Sequence, residues 1–173
     1  MTVLELWQNY FGNKFAFNFG FLWTDPLGIE NLNLKAEYTR IDPFVYAHKD
    51  SINIYTHYDK IIGHPLGPDS DSAYLGMQSY LHRDFSVSTF YEKIRQADGY
   101  PDTHSRPEQG EEKNFLDGRF ETRHKIGVKI QNQIRRDIFV SASYTYIHIN
   151  DANLKPGKTA TDQTACFQLS FNY

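Results

Sequence analysis

Residues 13–25 read NKFAFNFGFLWTD, and this stretch decides the fold. The positions between its aromatic residues carry mainly small or polar side chains. Because successive side chains of a β-strand point to opposite faces, the segment predicts a strand with one aromatic face and one polar face. The aromatic residues on alternate positions are Phe15, Phe17, Phe19, Phe21 and Trp23.

The same alternation of apolar and polar residues recurs along the chain, and no comparable run has helical spacing. The sequence therefore predicts an all-β protein with about seven antiparallel strands. After the first strand at 14–24, the predicted strands are 31–41, 73–81, 85–94, 120–131, 137–150 and 164–173.

Short and long connections alternate between these strands. In an antiparallel meander this puts every tight turn at one end and every long loop at the other, which is typical of outer-membrane barrels. The sequence thus favours an up-and-down transmembrane β-barrel. The short links are 25–30, 82–84 and 132–136, and the long loops are 42–72, 96–119 and 151–162.

In such a barrel the aromatic face points into lipid, which offers no hydrogen bonds, and the polar face lines a wet interior. A soluble β-sandwich or ligand-binding barrel remains an alternative, in which the aromatic residues fill a core. For the membrane interpretation, the residues expected to line the lumen are Lys35, Glu37, Glu92, Arg123, Lys125 and Lys129.

The chain of 173 residues is interpreted as one unit, the C-terminal portion of a longer barrel. Seven strands is an odd number, whereas bacterial single-chain barrels have an even number. The N-terminus also lacks the pattern of a secretory signal. The last strand ends in aromatic Tyr173, as the assembly signal of bacterial outer-membrane barrels does.

Composition argues against several classes of function. A net charge of −3 provides no basic field for nucleic acid. No nucleophile elbow, phosphate loop or HExxH motif is present, so we expect no enzymatic activity and no cofactor. His57 and His64, followed by Asp69 and Asp71, fit no standard zinc spacing, and we expect no metal.

The longest loop combines flat aromatic side chains with hydrogen-bonding tips. This mixture suits carbohydrate recognition, and it suits a loop folded over the barrel mouth equally well. The candidate ligand-binding residues are Phe44, Tyr46, His48, Asp50, Tyr55, His57, Tyr58 and His64.

Three segments carry a resemblance to a known family: EYTR with PFVYAH, YTHYDKIIGHPLGPDSD, and the terminal strand. Over most of its length the chain resembles the Wzi-type capsule assembly family. The resemblance implies a monomeric barrel of about eighteen strands in the bacterial outer membrane. Its partners would be membrane lipid and the capsular or other surface polysaccharide that it helps to hold. The rival membrane function is a porin or nutrient channel.

Overall fold

A computed structural model describes residues 14–48, 53–58, 60–98 and 114–171 of the chain. These residues form nine β-strands and two single 3₁₀ turns, Pro26–Gly28 and Ala152–Leu154. The strands are β1 Ala16–Thr24, β2 Leu32–Ile41, β3 Thr56–His57, β4 Lys60–Ile61, β5 Ser70–His82, β6 Phe85–Ala97, β7 Phe120–Arg135, β8 Ile138–Asn150 and β9 Ala160–Phe171.

The seven long strands form one antiparallel sheet in the order β1-β2-β5-β6-β7-β8-β9. The sheet does not close on itself, as expected for part of a larger barrel. β3 and β4 make a small separate ladder within the link between β2 and β5. The predicted all-β antiparallel meander is therefore confirmed, and its seven long strands lie in one continuous sheet rather than two packed layers.

Each predicted strand corresponds to one long strand, but several strands extend past their apolar pattern. β5 begins at Ser70 instead of 73, β7 continues to Arg135, and β9 begins at Ala160 instead of 164. Backbone pairing continues where both faces are polar, and side-chain alternation cannot report that continuation. The predicted last positions, 172–173, lie outside the described residues.

The links alternate as predicted, and they define two ends of the sheet. The tight links 25–31, 83–84 and 136–137 lie at the hairpin end, and the strand ends that flank 42–69, 98–119 and 151–159 form the long-link end. In the first tight link, Asp25 accepts the Asn31 backbone N–H through Oδ1 at 2.7 Å. Asp25, Leu27, Gly28 and Asn31 all have positive φ there, a conformation that Asp, Asn and Gly tolerate well.

Cross-strand register gathers the apolar alternates onto one face, which we call the aromatic face. One row across the sheet, for example, joins Phe21, Leu75 and Ile126. These side chains stay exposed, with 67% of Phe19 and 71% of Phe167 accessible, so they do not converge on an interior. The opposite side is the polar face.

The apolar band on the aromatic face runs obliquely to the strands. Register places Phe19 of β1 level with Thr161 of β9. Within the bounds of the strands, the first apolar residue on this face is Phe17 in β1 and Ala165 in β9, a displacement of six residues over six strand-to-strand steps. Each residue advances about 3.4 Å along a strand, and neighbouring strands lie about 4.8 Å apart. The strands are therefore tilted by roughly 35° from the direction perpendicular to the edge of the apolar band.

Most of the buried residues lie at the long-link end. Link 42–69 covers the polar face there, and the Gln96 side chain donates to the Leu66 carbonyl at 3.0 Å. This end therefore contains the packed core of the described chain. Its buried members are Thr39, Ile41, Pro43, Phe44, Val45, Ala47, Gly67, Pro68, Asp69, Ser70, Asp71, Ser72, Ile94, Ala97, Glu121 and Ala152.

Candidate functional site

Link 42–69 forms a cleft of about 310 Å³ at the long-link end of the sheet. Two of its walls are aromatic, and the surface that faces the cleft is almost wholly apolar. The cleft is lined by Tyr46, Ala47, His48, Asn53 and Tyr55.

The aromatic walls are the rings of Tyr46 and Tyr55, whose centroids lie 6.3 Å apart with an interplanar angle of 22°. The backbone N–H of Tyr55 donates to the Tyr46 carbonyl at 3.1 Å. The Tyr46 hydroxyl accepts the His64 backbone N–H at 3.0 Å. A Cβ at Gly63 would lie 2.6 Å from the Tyr46 ring, so the absence of a side chain there lets the ring pass close to the backbone. Tyr55 remains 58% exposed and offers an accessible ring.

The floor of the cleft is fixed to the packed core. Phe44 and Val45 are buried, and the Ala47 N–H donates to the Phe44 carbonyl at 3.2 Å. The Lys14 amine donates to the Ala47 carbonyl, and burial lowers the pKa of this lysine. Phe44 was a candidate ligand residue, but with only 5% exposure it packs inside the link and offers no ring face to a ligand.

The remaining candidate ligand-binding residues do not all lie in the cleft. His57 and Tyr58 are exposed and form an edge-to-face pair with centroids 4.4 Å apart. His64 is exposed and accepts the Leu66 N–H through Nδ1 at 3.3 Å. Asp50 lies outside the described residues. The cleft therefore combines Tyr46, His48 and Tyr55, together with Ala47, which no sequence pattern marks as a site residue.

Asp69 joins the long links to one another. Its carbonyl accepts the Ala97 N–H at 2.9 Å, and its Oδ1 accepts the Leu116 N–H at 2.8 Å. Its own N–H donates to the Asp42 carbonyl at 3.4 Å. The residue is fully buried and has a φ of 54°. In this structure the carboxylate that the sequence offered as a cation ligand serves to hold the links that carry the cleft.

The six residues expected to line a lumen all lie on the polar face. Most of their charges are paired with opposite charges, which reduces the single-sign field on which ion preference depends. Within this group, Glu92 also accepts the Ser72 hydroxyl at 2.7 Å. The ion pairs are Lys35–Glu37 at 2.9 Å, Lys125–Glu92 at 3.3 Å and Arg123–Glu121 at 2.5 Å.

Two further features concern metals and helices. Within the described ranges, no group of three or more His, Cys, Asp or Glu side chains is arranged to hold a metal ion. In the same part of the chain, no helix is long and apolar enough to cross a membrane.

Comparison with known families identifies the chain. The family model described as Capsule assembly protein Wzi matches residues 7–164. The chain belongs to the Wzi capsule assembly family. This confirms the resemblance seen in the sequence, and the Wzi match includes the cleft and every strand through β8, and it ends within β9 at residue 164. No curated protein and no solved structure matches the chain significantly.

Proposed function

We propose that this Wzi-family chain is part of a bacterial outer-membrane β-barrel that holds capsular polysaccharide at the cell surface through the Tyr46–Tyr55 cleft. The role is one of binding and attachment, without an enzymatic step or a cofactor. The partners are the polysaccharide and outer-membrane lipid, and the full-length barrel acts as a monomer.

The oblique apolar band is the observation that carries this proposal. A bilayer imposes a level apolar zone that is independent of strand direction, so tilted strands must shift their apolar residues step by step. The inclination of roughly 35° obtained from the register falls within the tilt of about 35–45° found in membrane barrels. Membership of a capsule assembly family supports the identity of the ligand.

The distribution of links supports an outward orientation of the cleft. Outer-membrane barrels have short turns on the periplasmic side and long loops outside. The hairpin end then faces the periplasm, and link 42–69 faces the medium that contains the capsule. In this orientation the cleft and its accessible Tyr55 ring meet the polysaccharide.

The chemistry of the cleft suits sugar rings. The apolar C–H face of a pyranose stacks on an aromatic ring, and its hydroxyl groups need donors and acceptors close by. Tyr46 and Tyr55 supply the rings, and His48 and Asn53, whose side chains can hydrogen-bond, border the same cleft.

Truncation of the accessible ring tests the proposed function. Tyr55→Ala should weaken binding of the strain's own purified capsular polysaccharide by about five- to thirtyfold, the loss of a contact worth about 1 to 2 kcal/mol. Cells with this variant should release capsule into the medium. The measurements are the dissociation constant for the polysaccharide and the ratio of cell-bound to released capsule.

Tyr80→Ala is the matched control, because Tyr80 is similarly exposed but lies at the hairpin end. It should leave capsule retention unchanged. Normal retention in Tyr55→Ala cells that carry wild-type amounts of the barrel would contradict the role of the cleft.

Channel recordings distinguish attachment from transport. Because link 42–69 covers the polar face at the long-link end, we expect the full-length protein to show no steady open conductance in planar bilayers. A stable open conductance would instead favour a porin or nutrient channel. The paired charges on the polar face further predict that any residual current is weakly ion-selective.

A further inference from the structure

A pair of aromatic side chains lies on the polar face, where the sequence pattern predicts hydrophilic residues. Tyr74 of β5 and Phe90 of β6 have ring centroids 5.8 Å apart and an interplanar angle of 18°. Both side chains are partly exposed. We call this pair the Tyr74–Phe90 platform.

The platform rests on two glycines. A Cβ at Gly127 would lie 2.3 Å from the Phe90 ring, and one at Gly76 would lie 2.7 Å from the Tyr74 side chain. Both glycines are buried, and register aligns Gly76, Phe90 and Gly127 across three neighbouring strands. Each ring thus lies against the backbone of the sheet. Glycine inside a strand typically marks such a close approach.

Polar groups border the two rings. The Lys35 amine lies 5.6 Å from the centroid of the Tyr74 ring. The Glu92 carboxylate, directly opposite Tyr74 in the register, accepts the Ser72 hydroxyl and pairs with Lys125. Thr145 lies beside Gly127 on the next strand. A flat apolar surface is therefore bordered by ammonium, carboxylate and hydroxyl groups.

This combination fits a pyranose ring better than it fits an ion or a lipid. A sugar offers an apolar C–H face for stacking and a rim of hydroxyl groups for hydrogen bonds. An ion gains little from the aromatic surface, and the neighbouring charges already neutralise one another. A lipid chain would leave these paired charges without water.

We propose that the Tyr74–Phe90 platform binds a sugar ring of the capsular polysaccharide on the polar face, as a second contact separate from the external cleft. This inference rests on the proposed function, because it takes the polar face to be the barrel interior and the polysaccharide to be the ligand.

The test measures binding of purified capsular polysaccharide from the encoding strain to the full-length barrel in detergent. Phe90→Leu removes the flat ring while keeping an apolar side chain, and it should weaken binding about tenfold, equivalent to about 1.4 kcal/mol. Phe90→Tyr keeps the ring and should bind as wild type does. Tyr74→Leu provides a second variant with the same expected loss if Phe90→Leu does not assemble.

Tyr144→Leu is the control, because Tyr144 is an exposed ring on the aromatic face. It should not change the affinity for polysaccharide. Unchanged affinity in Phe90→Leu and Tyr74→Leu would overturn the platform and leave the proposed function standing, and so would an equal loss in Tyr144→Leu. If wild-type protein binds no polysaccharide, the proposed function and the platform are both wrong.

Discussion

Ala142→Arg should strongly impair insertion of the barrel into the outer membrane, whereas Ser143→Arg should insert almost normally. Ala142 is exposed on the aromatic face, at the centre of the β8 series that runs from Ile138 to Tyr146. It lies between Ile130 and Phe167 in the register. An arginine there would face hydrocarbon near the bilayer midplane, at a cost of about 2 to 4 kcal/mol in the free energy of insertion.

Ser143 is the closest available control because it is the next residue in the chain and points to the opposite face. Its register neighbours are Lys129 and Cys166, and an arginine there would meet the polar side of the sheet. The two variants have nearly the same composition and the same position along β8. Their difference therefore reports which face meets lipid.

The measurement is the fraction of folded barrel recovered in purified outer membranes, followed by the free energy of unfolding in lipid vesicles. Equal penalties for the two arginines would contradict the assigned faces and remove the support for a membrane barrel. The inclination of the band adds a second comparison. Register places Phe19 level with His148, yet Phe19→Arg should resemble Ala142→Arg in cost because both positions lie at the centre of the band.

Asp69→Ala should destabilise the long-link end by about 2 to 4 kcal/mol. The change removes the acceptor of the Leu116 N–H in a fully buried setting, and it places alanine at a positive φ that alanine disfavours. Because Asp69 joins link 42–69 to the end of β6 and to Leu116 in the next long link, the packing between these two links should loosen. We expect a lower melting temperature and faster proteolysis at this end of the barrel.

Asp69→Asn is the matched control, because it preserves both contributions and removes only the negative charge. Asparagine keeps a side-chain carbonyl oxygen for Leu116 and tolerates positive φ, so most of the stability should be retained. If Asp69→Ala melts at the wild-type temperature and resists protease equally, Asp69 does not hold the links together. Polysaccharide binding by the alanine variant should fall as the cleft loses its support.

Much of the fold could be predicted because it depends on the alternation of apolar and polar residues within each strand. In residues 13–25, each side chain's face follows from its position along the strand, and no distant contact is needed to assign it. The alternation of short and long links is equally local, and it determined which residues lie at each end of the sheet. The family resemblance also depended only on sequence segments and is confirmed by the match to residues 7–164.

The site was less predictable because it depends on which distant residues become neighbours. Link 42–69 was recognised as a candidate binding loop, but the burial of Phe44 depends on how the link folds, which the sequence pattern does not show. The platform required Phe90 to lie beside both Gly76 and Gly127, which are separated by about fifty positions in the chain. Such a pairing leaves no periodic signal.

The sequence by itself determined the strands, their two faces and the two kinds of link, since a strand's period of two is a property of the local backbone. Only the tertiary structure decided the inclination of the apolar band, the pairing of Lys125 with Glu92, and the cleft between Tyr46 and Tyr55. Each of these features depends on strand register or on loop packing, because both bring together residues that are distant in the sequence.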